Sequence, residues 1–252
     1  MKNLALTIFF TTVSLSLFAQ SNHENADDWE DLFNGKNLDG WEIRCRPGDA
    51  GKEFWKVING FIECNSVGKP DHDYVWLMHK NEYSDFHLKL KFQIFKSSTG
   101  NSGIQFRSRY DTSEKARNGG WLNGPQADIH PPASFRAGLI YDETDGINRW
   151  IYPSMPDWKI SESDVPKTAL QTKLVYADDN LDAWNTMEII CKGMKIKTIV
   201  NGNQVTDFDA TGILDDAIHK EKKVGKSGQI ALQLHSSDEL LIRYKEIKIS
   251  KI

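Results

Sequence analysis

Three short stretches set chemically capable side chains on alternate positions of an extended chain. In Gly103-Ile104-Gln105-Phe106-Arg107, the side chains of Gln105 and Arg107 share one face, while Ile104 and Phe106 share the other. In Gln126-Ala127-Asp128-Ile129-His130, the residues Gln126, Asp128 and His130 share a face. In the run from Gln229 to His235, Ile230, Leu232 and Leu234 point one way, and Gln233 and His235 the other. Amides, a guanidinium, a carboxylate and imidazoles together offer planar, bidentate hydrogen bonding, the kind that holds hydroxyl-rich sugars. An ordinary solvated sheet face is the competing explanation, since strand pairing is not readable from one chain and the three faces need not meet.

A second group of candidates follows a short apolar run. Tyr141 leads into Asp142 and Glu143, and neighbouring strands would bring Glu143 near Asp128. Two carboxylates can divide acid and base roles when their surroundings push their pKa values apart. Asp142, Glu143 and Asp145 also read as a polar turn before Gly146, and they lack the regular spacing of a calcium loop. The Glu-x-Asp-x-x-Glu string of retaining jelly-roll glucanases is absent, as are Gly-x-Ser-x-Gly, His-Glu-x-x-His and the glycine-rich phosphate loops. A conventional two-carboxylate glycosidase is therefore weakly supported. Trp158, with Trp150 and Tyr152, lies in an irregular stretch over 142–167, where exposed aromatic residues suit a sugar-binding wall.

These groups need rigid elements behind them. In Phe86-His87-Leu88-Lys89-Leu90-Lys91-Phe92-Gln93-Ile94, apolar and polar residues alternate throughout, the signature of a strand with one buried face. Further strands are predicted over 54–57, 61–64, 75–78, 104–108, 127–129, 138–141, 186–191, 196–200, 229–234 and 241–249. Asn201-Gly202 between two strand-like runs marks a hairpin. Helical signal is confined to a short turn over 213–218 and an ambiguous stretch over 170–176. Many short strands and little helix predict an all-β sandwich of two antiparallel sheets with long loops at the site.

The bulk properties fit an exported domain. Lys2, the apolar run over 4–18 and Ala19 before Gln20 read as a signal peptide over 1–20, followed by a polar leader over 21–28. Residues 29–252 then form one domain, with eight Trp and twelve Phe to fill its core. A net charge of -4 argues against nucleic acid or an anionic membrane surface as partner. No segment after the leader is apolar enough to span a bilayer. Cys45, Cys64 and Cys191 leave open three unpaired thiols or one bridge with one free thiol.

The strings also resemble a known family. Leu32-Phe33-Asn34-Gly35-Lys36-Asn37-Leu38-Asp39-Gly40-Trp41 is similar to the opening of the 3-keto-disaccharide hydrolase family. Phe54-Trp55-Lys56-Val57-Ile58-Asn59-Gly60-Phe61-Ile62, Tyr83-Ser84-Asp85-Phe86 and Asn101-Ser102-Gly103-Ile104-Gln105-Phe106-Arg107 resemble its next segments. Trp184-Asn185-Thr186-Met187-Glu188, Val200-Asn201-Gly202 and Gly228-Gln229-Ile230-Ala231-Leu232-Gln233-Leu234-His235 complete the set in order. Trp41, Trp55 and Trp184, at strand starts with apolar neighbours, are expected in the core. Where many members carry Glu-x-Gln, this chain reads Gln126-Ala127-Asp128, so the acidic group is displaced by one step of the same face.

The resemblance implies a concanavalin A-like jelly roll that cleaves glycosides already oxidised at carbon 3. The ketone acidifies the proton on carbon 2. A base can then remove it, the enolate can expel the substituent on carbon 1, and water can add afterwards. On that reading Asp128 is the base, with His130 or His235 as rivals, Arg107 stabilises the enolate and Glu143 is the acid. Gln105, Gln126, His130, Tyr141, Trp158 and Gln233 contact the sugar. No cofactor is required, although a divalent metal held by Asp128, Glu143 and a His could take the place of Arg107. An oxidoreductase that forms the 3-keto sugar is the implied partner. The alternative is a lectin-like, non-catalytic carbohydrate-binding domain, which the same fold and aromatic loops would serve.

Overall fold

The structure is a computed structural model and describes residues 28–252. The signal-peptide and most of the leader assignments lie outside those residues. The chain runs through β1 (Glu30–Asp31), β2 (Trp41–Cys45), β3 (Trp55–Ile58), β4 (Phe61–Asn65), β5 (Val75–Tyr83) and β6 (Phe86–Ile94). It continues through β7 (Ser102–Asp111), β8 (Trp121–Asn123), β9 (Pro125–Ile129), β10 (Ile140–Asp142), β11 (Arg149–Tyr152) and a short helix α1 (Lys167–Gln171). It ends with β12 (Asn185–Lys192), β13 (Lys195–Val200), β14 (Asn203–Asp209), α2 (Ala217–Lys222), β15 (Gly228–Leu234) and β16 (Leu241–Lys251). Among the described residues no helix is long and apolar enough to cross a membrane.

Two sheets of eight strands pack face to face, as the alternating pattern predicts. The back sheet runs β14-β13-β12-β6-β16-β4-β3, with β1 beside β16. The front sheet runs β11-β10-β9-β7-β15-β5-β2, with β8 beside β7. The alternation read in residues 86–94 coincides with β6, and Phe86, Leu88, Leu90 and Phe92 are buried between the sheets. Ile104 and Phe106 of β7 and Ile230, Leu232 and Leu234 of β15 meet them from the front sheet. Each such side chain contributes about 1.5–3 kcal/mol by leaving water.

The hairpin at Asn201-Gly202 forms between β13 and β14, with both residues at positive φ (49° and 79°). That is the turn whose twist suits two antiparallel strands. All three cysteines are unpaired. Trp41 and Trp55 are core residues, as expected. Trp184 is not: it sits half-buried on the outer side, against Phe61 and under the Lys245 ammonium. The helical turn expected over 213–218 lies later in the chain, as α2. Asp216 caps it by accepting from the His219 backbone N–H at 3.0 Å.

Candidate active site

The outer face of the front sheet carries the polar rows read from the sequence, and the strand order brings them together. Because β7 sits between β9 and β15, Gln105 lies opposite both Gln126 and Ala231, and Gly103 lies opposite Asp128. Tyr141 of β10 lies opposite Gln126. The next row along the strands holds His130, Asn101, His235 and Tyr74; the His235 backbone N–H donates to the Asn101 carbonyl at 3.3 Å. Above this surface is a cleft of about 500 Å³, walled by the segments before Trp121 and after Asp142.

Asp128 is buried at the base of the cleft. Arg136 clamps it with two hydrogen bonds, Nε to Oδ2 at 2.8 Å and Nη2 to Oδ1 at 3.1 Å. The same guanidinium donates from Nη1 to His130 Nδ1 at 3.1 Å. Burial and then the Arg136 charge push His130 below the usual imidazole range, so a neutral ring accepts that bond. The Gln126 side chain lies flat across Gly103, where a Cβ would fall 2.3 Å from its Cδ. Gly103 is therefore required by a close approach rather than by a turn.

Glu143 is the second buried carboxylate, and its surroundings differ. Its backbone N–H donates to Gly124 O at 3.0 Å, and its carbonyl accepts from Trp121 Nε1 at 2.6 Å. On either side, the Asp142 carboxylate accepts from the Thr144 N–H at 3.0 Å and meets His219 Nε2 at 3.0 Å. Its own Oε1 accepts one bond, from Gln233 Nε2 at 3.0 Å. Burial raises its carboxyl above the usual carboxylate range, opposed in part by Gln233 and His235. A carboxyl raised in this way inside a cleft is suited to proton transfer.

His235 completes a third cluster. Its Nε2 lies 2.8 Å from Tyr74 Oη, and its Nδ1 lies 3.3 Å from Asp238 Oδ2. Burial works against charge on this ring, but Asp238 and Glu143 outweigh it and raise His235 above the usual imidazole range. Aromatic groups line the other wall. Trp150 packs edge-on to Tyr141 at 5.2 Å and under Arg136 at 5.0 Å, and donates from Nε1 to the Trp158 carbonyl. Trp158 itself is 67% exposed at the rim. Several buried amide oxygens on this face, those of Gln126, Asn101, Gln105 and Gln233, have no partner among the described residues. Such acceptors are rarely left unused, and for Gln126 and Asn101, which line the cleft, sugar hydroxyls are natural donors.

Asp128, Glu143, His235, Gln126, His130, Tyr141 and Trp158 thus line one cleft. Gln233 supports it from beneath through Glu143, and Gln105 points to the Leu122 carbonyl at 3.1 Å instead of into the cleft. Arg107 is a correction. Between Gln105 and Ser108 the chain has two residues where β15 has one, so Arg107 is the extra residue of a bulge at φ 50°. Its side chain leaves the polar face, is fully buried, and bonds the carbonyls of Ser84, Gly193 and Gly225 and the carboxylate of Asp85. It has no route to a substrate in the cleft.

Sequence reasoning missed Tyr74, Asn101, Arg117, Arg136, Asn148 and Asp238, which also line the cleft, whereas Trp150, expected in an aromatic wall, lines it too. Tyr74 had a signal, for the alternation of Trp76 and Met78 extends back to it. Arg136 had none, since its reach to Asp128 depends on how the segment between β9 and β10 folds. Among the described residues no three His, Cys, Asp or Glu side chains are grouped to hold a metal ion.

Comparison with curated proteins finds no relative of this chain. Among solved structures, two candidate glycosyl hydrolases from Parabacteroides distasonis share the fold. One is 17% identical over 89% of this chain and 94% of its own, with a TM-score of 0.52. The other is 20% identical over 90% of this chain and 100% of its own, also at 0.52. At these identities the likeness is one of fold. The whole sandwich, residues 28–250, matches one family model, and the chain belongs to the 3-keto-alpha-glucoside-1,2-lyase-like domain family, a carbohydrate-active domain.

Proposed function

We propose that this domain cleaves the glycosidic bond of sugars that carry a ketone at carbon 3, by proton abstraction at carbon 2 and elimination. The observation that carries this reading is the asymmetry of the two buried carboxylates. Asp128 has both oxygens committed to Arg136, whereas among the described residues Glu143 keeps one oxygen without a hydrogen bond and is tuned upward. One free carboxylate, not a pair, is what an elimination needs. A retaining or inverting glycosidase needs two available ones. A domain that only bound sugar would have no use for a carboxyl held unpaired by charge in a buried position.

Glu143 therefore takes the role of base, and Asp128 that of holding Arg136. The Glu143 carboxylate removes the carbon-2 proton, and the electron pair moves to the carbon-3 oxygen as an enolate. The enolate collapses to the ketone, a carbon 1–carbon 2 double bond forms, and the bond from carbon 1 to the leaving oxygen breaks. Glu143 returns its proton to that oxygen, releasing an alcohol and an unsaturated ketone, to which water can add. Gln126 and Asn101 offer oxygen acceptors for hydroxyls, Tyr141 and Trp158 offer ring faces, and Arg117 brings positive charge to the wall. The substrate class requires an oxidation of a secondary alcohol upstream, hence an oxidoreductase partner. The N-terminal pattern supports export to the periplasm or beyond.

The test is to incubate the protein with a disaccharide and with its 3-keto derivative. Alcohol release from the ketone alone is expected. Equal release from the unoxidised sugar would contradict the proposal.

A further inference from the structure

We infer that Tyr74 is a catalytic residue, the hydrogen-bond donor that receives the enolate oxygen, with His235 and Asp238 as positioning residues behind it. This rests on the elimination proposed above, whose enolate loses its expected partner once Arg107 is placed outside the cleft. Arg136 already spends one N–H from each of its three nitrogens on Asp128 and His130, which fixes its guanidinium at the base of the cleft.

The three residues form a chain that ends in the cleft. Asp238 Oδ2 is fixed by the Asn101 backbone N–H at 2.8 Å. It faces His235 Nδ1 at 3.3 Å, and the Ser236 carbonyl meets the same nitrogen at 3.2 Å. Two acceptors at Nδ1 require a proton there. His235 Nε2 then stands 2.8 Å from Tyr74 Oη, the one hydrogen bond Tyr74 Oη makes among the described residues.

The direction of that bond decides what Tyr74 can do. With His235 neutral and its proton on Nδ1, Nε2 accepts, and the phenol proton is spent on the imidazole. With His235 charged, Nε2–H donates to Oη, and the phenol proton is free to point at a substrate oxygen. The charge then lies one bond behind the donor, which strengthens it. The groups facing His235 favour the charged form: Asp238 at Nδ1 and Glu143 across the cleft, against His130 and burial.

Tyr74 is also held in place before substrate arrives. Its ring stacks on Trp76 with centroids 5.5 Å apart, meets Trp121 edge-on at 4.7 Å and meets His235 at 4.6 Å. Trp121 in turn binds the Glu143 carbonyl, so base and donor share one rigid support. A preorganised donor aimed where charge develops is the arrangement that lowers a barrier through electrostatics. Tyr74 donates a hydrogen bond and does not transfer its proton, so the enolate collapses without further proton movement.

The test uses the full-length protein and a 3-keto-glycoside. Tyr74→Phe should lower kcat by about a hundredfold to a thousandfold, as for loss of one oxyanion donor, with KM changed only a few-fold. Because the ring is packed, Asp238→Asn gives a second arm. It removes charge behind His235, so the alkaline limb of the kcat profile should move to lower pH while the acid limb stays. Wild-type cleavage abolished by Glu143→Gln but little altered by Tyr74→Phe would overturn this inference alone. So would an alkaline limb unmoved by Asp238→Asn. Absence of wild-type cleavage would instead overturn the elimination on which it rests.

Discussion

Replacing Arg107 by Met keeps a stem of similar length and removes every donor. Nε then no longer serves Ser84 O at 2.7 Å, and Nη1 no longer serves Gly193 O at 2.7 Å or Gly225 O at 3.2 Å. Asp85, 40% exposed at its side chain, turns to water at little cost. The three carbonyls sit around a fully buried group. Each orphaned carbonyl costs about 1–3 kcal/mol. Water will reach part of the space, so the net loss is about 3–5 kcal/mol, the scale for breaking a buried charged network. For a domain of this size each kcal/mol lowers Tm by roughly 2–4 °C, so the variant should melt about 10 °C lower. Thermal unfolding of both proteins measures this. Turnover of a 3-keto-glycoside, taken well below both transitions, should stay within a few-fold of wild type. An unchanged Tm with abolished turnover would refute the structural assignment and return Arg107 to the chemistry.

Glu143→Gln should lower kcat by at least about a hundredfold, as loss of a general base does. The same change should stabilise the fold at neutral pH. The raised Glu143 carboxyl makes the wild-type protein lose stability as pH climbs from the usual carboxylate range to its own higher one, and Gln lacks that loss. Denaturant titrations at acid and neutral pH would show the gap open only at the higher pH. Gly103→Ala places a Cβ 2.3 Å from Gln126 Cδ, where carbons prefer about 3.5–4.0 Å, so Gln126 must move by about 1 Å. Overpacking of this kind costs about 1–3 kcal/mol, and KM should rise as the amide leaves its place. Trp158→Ala, at an exposed rim position, should leave stability within about 0.5 kcal/mol of wild type. It should raise KM by roughly tenfold, the scale of about 1.4 kcal/mol of lost apolar contact. Asp128→Asn strips Arg136 of its charge partner; both Tm and turnover should fall, with a smaller loss of turnover than in Glu143→Gln.

Local pattern carried the fold a long way. The alternation in residues 86–94 needs only the chain's own period, so β6 was legible to the residue, and Asn201-Gly202 announced its turn. The polar faces at Gln126, Asp128, His130, Gln233 and His235 were legible for the same reason. Their convergence was not, because it depends on β7 lying between β9 and β15, a pairing between segments far apart in sequence. Arg107 shows the limit most clearly. Its alternation with Gln105 is faultless in the sequence, yet a bulge set by the partner strand turns it away from the cleft. Arg136, Asp238 and Asn148 come from connecting segments, where no periodicity reports direction. The different environments of Asp128 and Glu143 come from contacts with Arg136 and Gln233 that only the folded chain makes.

The most direct measurement follows the carbon-2 hydrogen. Turnover of a 3-keto-glycoside in deuterated water should place solvent deuterium on carbon 2 of the hydrated sugar product. The rate should follow that of alcohol release, and both should collapse in Glu143→Gln. Alcohol release with the original hydrogen retained on carbon 2 would contradict the account, because the glycosidic bond would then break without the enolate.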